Sequence, residues 1–327
     1  MIRFFRQSYI IQYVAIALLC IALWVPSFIT GNVDVSWRSP VSPLYNLLAD
    51  LLDFWPPCML LFAMLLMAFE VMFFNSILVE NQLNTKVSTL GAVVFLLVMN
   101  LMPVQTTFYP FLLALVFLLF FINIIFLTYQ TAHPELYLLN AGVFLSLATM
   151  CYFPTLLLVV WGVISLSILH RGSLRLHVIP ILGLLLPYFF YFSFLFLRGD
   201  LLTVLQAYGD YFSGFSFFVA GFDRWRLMVL GFLLLVSLIP VFFPQLYSFE
   251  KSIAVRTKVR MTIVLLLLGV VMLFIGEDPM QTGVFFVALS VLFSYQLSYL
   301  DKLKWSNITF ILFLLLVLAF QYIPLFI

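Results

Sequence analysis

Charged residues are scarce in this sequence: 15 Lys and Arg together with 13 Asp and Glu make up 9% of its 327 residues. A soluble domain has roughly 25% charged residues, so this chain could not cover its surface with polar groups in water. Phosphate-cradling glycine loops, CxxC, HExxH and GxSxG are all missing, which argues against the common soluble enzymes and against ATP-driven transport by this chain alone. The net charge of +2, without a basic run, indicates no nucleic-acid partner.

Cysteine is also rare. Cys20, Cys58 and Cys151 lie in or beside apolar runs, at no metal-ligand spacing, and we interpret them as small packed or lipid-facing residues. The sequence therefore predicts no metal site and no cofactor. A divalent metal is left open, but nothing in the sequence supports one.

Long apolar runs dominate what is present, since 65% of the residues are hydrophobic and 39 are Phe. Runs of about 20 residues predict transmembrane helices, whereas barrel strands would alternate over about 10 residues. The fold class is therefore all-α: a polytopic integral membrane protein with about 11 transmembrane helices in a single membrane domain, 1–327. The predicted spans are 10–30, 57–79, 88–103, 109–129, a tract at 138–169, 178–197, 227–247, 261–275, 283–299 and 308–327.

The uncharged tract at 138–169 is too long for one ordinary helix. Pro154 lies near its midpoint, and proline both removes a backbone donor and disfavours helical geometry at the residue before it. The tract therefore predicts two short helices that turn at Phe153-Pro154.

Basic residues favour the same hairpin, because cytoplasmic loops are enriched in Lys and Arg. With a hairpin and a cytoplasmic N-terminus, all but four of the 15 basic residues lie inside, the exceptions being Arg38, Arg198, Arg224 and Arg226. A single long helix would place most of them outside. We therefore expect a bacterial inner-membrane protein with a cytoplasmic N-terminus, a periplasmic C-terminus and periplasmic loops at 31–56 and 198–226.

Each of these loops has a pattern of its own. PLYNLLADLLDFW in the first loop spaces its leucines three or four residues apart, with Asn46, Asp50 and Asp53 between them, which predicts a surface-lying amphipathic helix. The second loop mixes aromatic residues with glycine and predicts a part-helical segment at the headgroup level.

The order of these features resembles the membrane core of the GT-C glycosyltransferase superfamily, whose members use polyprenyl-linked sugars. NAGVFLSLATMCYFPTLLLVVWGVISLSILHR is similar to the superfamily pattern of a short glycine-containing helix, a turn and a second short helix ending in arginine. MIRFFRQ, PFLLALVFLLFFINIIF and IPILGLLLPYF, together with the tract, resemble a family of Bacteroidota inner-membrane proteins. The resemblance covers 1–200, leaving 201–327 as additional C-terminal helices. Where the superfamily carries a cation at the turn, this chain has Tyr152-Phe153-Pro154.

The resemblance implies a carboxylate at the outer face that deprotonates an acceptor hydroxyl. Asp34 is the candidate, and its alternative is a solvated loop aspartate. Basic side chains would bind a lipid phosphate, with interfacial anchoring as their alternative; the candidates are Arg38, Arg198, Arg224 and Arg226. Carboxylates beside aromatic rings suit a sugar, although such loops are also common as interface belts; the candidates are Asp200, Asp210 and Asp223.

Glu70 is predicted to lie midway along a span, where a carboxylate is costly unless it faces protein or water. Its candidate partners are the amides of Asn75, Asn100, Asn123 and Asn140. A proton or substrate relay and structural pairing of helices are equally compatible with its position.

Three functions stay open on the sequence. The first is a glycosyltransferase-like envelope protein that handles a polyprenyl-linked or other lipid-linked glycan at the periplasmic face, with catalysis itself left open. The second is a transporter or flippase of a lipid or envelope precursor, and the third is a non-catalytic subunit of an envelope complex. Membrane lipids are expected partners in all three cases.

Overall fold

The computed structural model describes residues 2–7, 9–31, 37–53, 55–84, 88–101, 106–131, 133–169, 174–213, 231, 252–274, 279–299 and 303–322. Over these residues the regular structure is entirely helical, as predicted. The α-helices are α1 (Ile2–Phe5), α2 (Ile10–Thr30), α3 (Pro43–Leu52), α4 (Pro56–Glu80), α5 (Leu90–Met99), α6 (Pro110–Leu127), α7 (Glu135–Cys151), α8 (Leu158–Ile168), α9 (Leu174–Arg198), α10 (Leu201–Ser213), α11 (Ile253–Leu273), α12 (Thr282–Tyr299) and α13 (Leu303–Tyr322). Short 3-10 turns occupy Thr128–Gln130, Phe153–Leu157 and Pro279–Gln281.

Four helices in the described part of the chain, α2, α4, α6 and α9, are long and apolar enough to cross a membrane. Shorter apolar helices accompany them, among them α5, α7, α8, α12 and α13. The class of helical membrane protein follows from these lengths and compositions. The predicted span at 227–247 lies outside the described residues, and the count of 11 spans stays a prediction.

Proline and glycine mark several helix ends. Pro43 and Pro110 occupy the first positions of α3 and α6, where a backbone N–H would have no partner within the helix. Gly31 ends α2 with φ of 62°, and its N–H donates to the carbonyl of Ser27 at 3.1 Å. That left-handed conformation is one glycine adopts without steric cost.

The chain divides into two compact units. Unit 1 comprises Met1–Asn32, Leu60–Thr107 and Phe218–Ile327, and unit 2 comprises Val33–Met59 and Phe108–Phe217. At the core of unit 1 lies α5, a ten-residue helix buried along its whole length. The Phe74 ring of α4 stacks on the Phe95 ring of α5 at 4.2 Å, and α12 packs on α5 as well.

The predicted hairpin forms part of unit 2. Rings pair Phe111 with Tyr152 and Phe120 with Phe144, so α7 runs antiparallel to α6. After the 3-10 turn, the centre of the Trp161 ring of α8 lies 5.5 Å from the centre of the Phe121 ring, well inside α6. The chain therefore reverses at the turn, and the prediction of two short helices meeting at Phe153-Pro154 is confirmed.

Helices α7 and α9 approach each other at two glycines. A Cβ on Gly142 would lie 2.8 Å from the backbone nitrogen of Leu184 and closer still to the carbonyl oxygen of Pro180. A Cβ on Gly183 would lie 3.2 Å from the Gly142 Cα. Close approach of two backbones requires small residues on both helices, as in many membrane helix pairs.

Candidate functional site

Aromatic side chains enclose the hairpin turn in unit 2. We call this group the turn cluster; its buried members are Val41, Met150, Phe153, Tyr188 and Tyr208. The Phe153 ring lies at its centre and contacts three rings of α10 edge-on, at 5.2 to 5.3 Å, namely Tyr208, Tyr211 and Phe212. The turn predicted at Phe153-Pro154 is therefore covered by α10.

Hydrogen bonds fix the polar ends of these rings. The Tyr188 hydroxyl donates to Thr149 Oγ1 at 3.0 Å, and the Tyr208 hydroxyl donates to the carbonyl of Val41 at 3.4 Å. Burial, followed by the neighbouring Tyr188 and Tyr191, raises the pKa of Tyr208, so this phenol stays protonated and remains a donor. Burial also raises the pKa of Tyr45 on α3 to about 12, with Arg38 opposing the shift.

The amphipathic helix predicted in the first loop is confirmed as α3. It buries Tyr45, Ala49 and Leu52 while exposing Leu47 and Leu51. Because α3 also packs on α7 and Tyr208 bonds to Val41, the segment before α3 and helix α10 both lie against the hairpin.

Charged side chains lie around α3 and at the junction of α9 with α10. Arg38 Nη2 lies 3.2 Å from Asp50 Oδ1 and 2.8 Å from Asp53 Oδ2. Arg198 Nε lies 3.7 Å from Asp200 Oδ2, and its guanidinium lies 5.6 Å from the centre of the Phe194 ring. All these groups are partly exposed, so the ion pairs contribute little to stability and are open to exchange for another partner.

The remaining candidate residues of the predicted outer loops are one exposed aspartate and four residues that the structure does not describe. Asp210 is exposed on α10. Asp34, Asp223, Arg224 and Arg226 lie outside the described residues. Among the residues that the structure describes, no group of three or more His, Cys, Asp or Glu side chains could hold a metal ion.

An apolar cavity of about 60 Å³ lies beside the hairpin, between α6, α7, α8 and α9. The lining is aliphatic or aromatic except for two glycines and includes Phe121, Leu145, Val163, Ile181 and Leu184. Next to it, α9 exposes a row of large apolar side chains, among them Leu182, Leu185, Phe189, Phe190 and Phe196. A hydrocarbon chain fits such a surface better than any polar ligand does.

Glu70 in unit 1 is fully buried, and neither of its carboxylate oxygens has a hydrogen-bond partner among the residues that the structure describes. None of the four predicted amides therefore bonds to it. Asn75 instead binds the start of α5, since its Nδ2 donates to the Ser88 carbonyl at 3.1 Å and its Oδ1 accepts from the Ala92 N–H at 3.3 Å.

Lys258 on α11 was not singled out by the sequence, which counted it only among the cytoplasmic basic residues. In the structure it is 1% exposed, and its Nζ donates to Asn81 Oδ1 at 2.8 Å. A signal was present: Lys258 shares a helix face with Val255, Met261 and Thr262, which are also buried. Its neighbours Arg256 and Arg260 lie on the other face.

Comparison with known proteins finds no matching family model, no matching curated protein and no matching solved structure. The resemblance to GT-C glycosyltransferases and to a Bacteroidota membrane family therefore rests on the sequence features alone.

Proposed function

We propose that this membrane protein handles a lipid-linked glycan precursor of the cell envelope, using the surface of unit 2 around the turn cluster. A lipid-linked sugar joins a long hydrocarbon chain to a phosphate and a polar head. Such a ligand needs an apolar track that ends at a polar, charged surface. The observation that carries the proposal is that α9 exposes large apolar side chains along its length and ends in a charged residue, Arg198, just before α10 begins.

The hydrocarbon chain of the substrate would lie along α9. Leu182, Leu185, Phe189, Phe190 and Phe196 of this helix are exposed, and the cavity between α6 and α9 offers a further apolar recess. Hydrophobic contacts do not depend on a fixed geometry of the ligand. The same surface would therefore accept isoprenoid chains of different length.

The phosphate and sugar would lie against the charged groups around α3 and at the junction of α9 with α10. Arg198 and Arg38 each face a carboxylate across a partly exposed surface, and a phosphate offers either guanidinium a stronger acceptor pair. Asp200, Asp210 and the tyrosines of α10 provide acceptors and ring faces for a sugar. Sugar transfer itself, with Asp34 as the general base, is the part of the proposal taken from the superfamily resemblance.

Retention of lipid-linked glycans by the purified protein tests the binding surface. We expect Arg198→Gln to lower the amount of polyprenyl-phosphate-linked sugar that co-purifies in nanodiscs by about fivefold, because one partly exposed charge contact contributes about 1 kcal/mol. Quantitative mass spectrometry of extracted lipids is the measurement. Arg175→Gln is the matched control, since Arg175 is an exposed arginine near the other end of the same helix. Equal losses from both variants would contradict the proposal.

Transfer is tested separately with Asp34→Asn. We expect this variant to retain the lipid-linked donor and to lose sugar transfer to an acceptor, measured with labelled donor in proteoliposomes. Retention and transfer both unchanged in Asp34→Asn would reject Asp34 as the base. If that variant were silent while Glu70→Gln stopped movement of the lipid-linked precursor across the bilayer, the transporter alternative would be supported instead.

A further inference from the structure

Unit 1 contains buried oxygen atoms that accept no hydrogen bond from any residue that the structure describes. Both carboxylate oxygens of Glu70 and the side-chain Oδ1 of Asn100 have no partner, and both residues are 0% exposed. Buried polar atoms in folded proteins are normally satisfied, so each exception needs a physical explanation. Here two exceptions occur on packed neighbouring helices, α4 and the end of α5.

The register of these helices places the two groups at the same depth. Phe74 stacks on Phe95, while Asn75 accepts from the Ala92 N–H, so α4 and α5 run antiparallel. Glu70 precedes Phe74 by four residues, and Met99 follows Phe95 by four. At 1.5 Å rise per residue, both steps cover about 6 Å in the same direction. Glu70 also lies about one turn from Phe74, on the face of α4 that is turned toward α5.

Donors at the end of α5 are already used. Asn100 Nδ2 donates to the Leu96 carbonyl at 2.8 Å, and Gln321 Nε2 donates to the Asn100 carbonyl at 2.7 Å. The Ser27 hydroxyl donates to Thr106 Oγ1 at 2.6 Å, and Thr106 in turn donates to Gln321 Oε1 at 3.5 Å. The indole N–H of Trp24 is an uncharged donor one turn before Ser27 and has no acceptor. Apart from that indole N–H, the donors named here are already engaged, so the three unpaired oxygens of Glu70 and Asn100 outnumber the one unpaired donor of this group.

The helices described around Glu70 supply no cation that compensates its charge. Helices α2, α5 and α12 carry no Asp, Glu, Lys, Arg or His, and α13 carries only Lys304 near its start. Lys258 of α11 is bound at Asn81, which lies eleven residues, or about 16 Å of helical rise, from Glu70. The C-terminal end of α5 adds negative dipole rather than positive charge. An isolated carboxylate in such surroundings is strongly disfavoured unless a cation neutralises it.

We infer that Glu70 and Asn100 form a binding site for a small monovalent cation, H⁺ or Na⁺, in the interior of unit 1. Carboxylate, amide and carbonyl oxygens are the ligands that hard cations take, and half-helix C-terminal ends coordinate such ions in secondary transporters. H⁺ would bind Glu70 directly, whereas Na⁺ would bridge the Glu70 carboxylate and Asn100 Oδ1. The inference is independent of the function proposed for unit 2.

Cation-dependent stability of the full chain in nanodiscs tests this site. We expect the thermal unfolding midpoint to rise and saturate with NaCl at constant ionic strength, balanced with choline chloride, if Na⁺ is the occupant. If H⁺ is the occupant, the midpoint will instead depend on pH and not on Na⁺. Either response must be lost in Glu70→Gln, whose neutral amide has no charge to compensate, and kept in Glu80→Gln, an exposed carboxylate at the end of the same helix.

A second variant distinguishes weaker cation binding from a general loss of folding. Asn100→Ala is expected to weaken the apparent affinity for Na⁺ by about tenfold, equivalent to about 1.4 kcal/mol, while leaving a pure H⁺ response in place. A wild-type midpoint that responds to neither Na⁺ nor pH would overturn the inference. So would a response that Glu70→Gln retains, or one that Glu80→Gln abolishes to the same extent.

Discussion

Replacing Gly142 with leucine is expected to cause a large loss of stability in unit 2. The new Cβ would overlap the Pro180 carbonyl and lie 2.8 Å from the Leu184 nitrogen. These are backbone atoms of α9, which cannot rotate away as a side chain does. Overpacking typically costs about 1–3 kcal/mol, and a backbone clash belongs at or above the top of that range. Helices α7 and α9 must therefore separate.

The unfolding midpoint in detergent, followed by circular dichroism, measures this loss, and size-exclusion chromatography reports whether the variant stays monodisperse. Gly209→Ala is the control, because a Cβ there meets nothing within 4 Å and alanine favours the helical conformation of α10. The control is expected to unfold at or slightly above the wild-type midpoint. A Gly142→Leu variant that matched it would mean that α7 and α9 do not approach closely at this glycine.

Phe153→Ala is expected to destabilise unit 2 to a comparable extent. Phe153 is 6% exposed and contacts three rings of α10. Truncating a buried Phe to Ala costs about 3–5 kcal/mol, and much of this cost falls on the attachment of α10. We therefore expect α10 to be cleaved faster by protease in the variant, in addition to a lower unfolding midpoint.

Phe190→Ala provides the comparison for Phe153. Phe190 is 63% exposed on α9, and truncation of an exposed side chain usually changes stability by less than about 0.5 kcal/mol. Limited proteolysis with mass-spectrometric mapping of cleavage sites distinguishes the two variants. Unchanged cleavage within Leu201–Ser213 in Phe153→Ala would show that α10 is held by contacts other than this ring.

Several elements of the fold were predictable because their signals are local. The hairpin followed from a proline at the centre of an uncharged tract and from the distribution of basic residues. The amphipathic helix α3 followed from its leucine spacing. The start of α2, its end and the start of α6 were predicted to within a residue, because apolar runs there begin or stop sharply.

Long-range pairing was not predictable from the same signals. The burial of Lys258 depends on Asn81, 177 residues away in the chain, and no local pattern announces such a partner. Arg38 was expected to be available for a phosphate, yet Asp50 and Asp53 reach it because the chain turns between Ser39 and Ser42. Glu70 was recognised as unusual, but the depth at which α5 ends became evident only from the packing of α4 on α5.

Helix α9 also sets a length scale for unit 2. The apolar run between Arg175 and Arg198 covers about 33 Å at 1.5 Å per residue, close to the roughly 30 Å of a hydrocarbon core. Arginine side chains are long enough to reach the polar boundary at each end, so the helix is long enough to span an average bilayer. A thinner bilayer imposes hydrophobic mismatch and makes α9 tilt. Because Gly199 and Asp200 join it directly to α10, the depth of the turn cluster would then vary with membrane thickness.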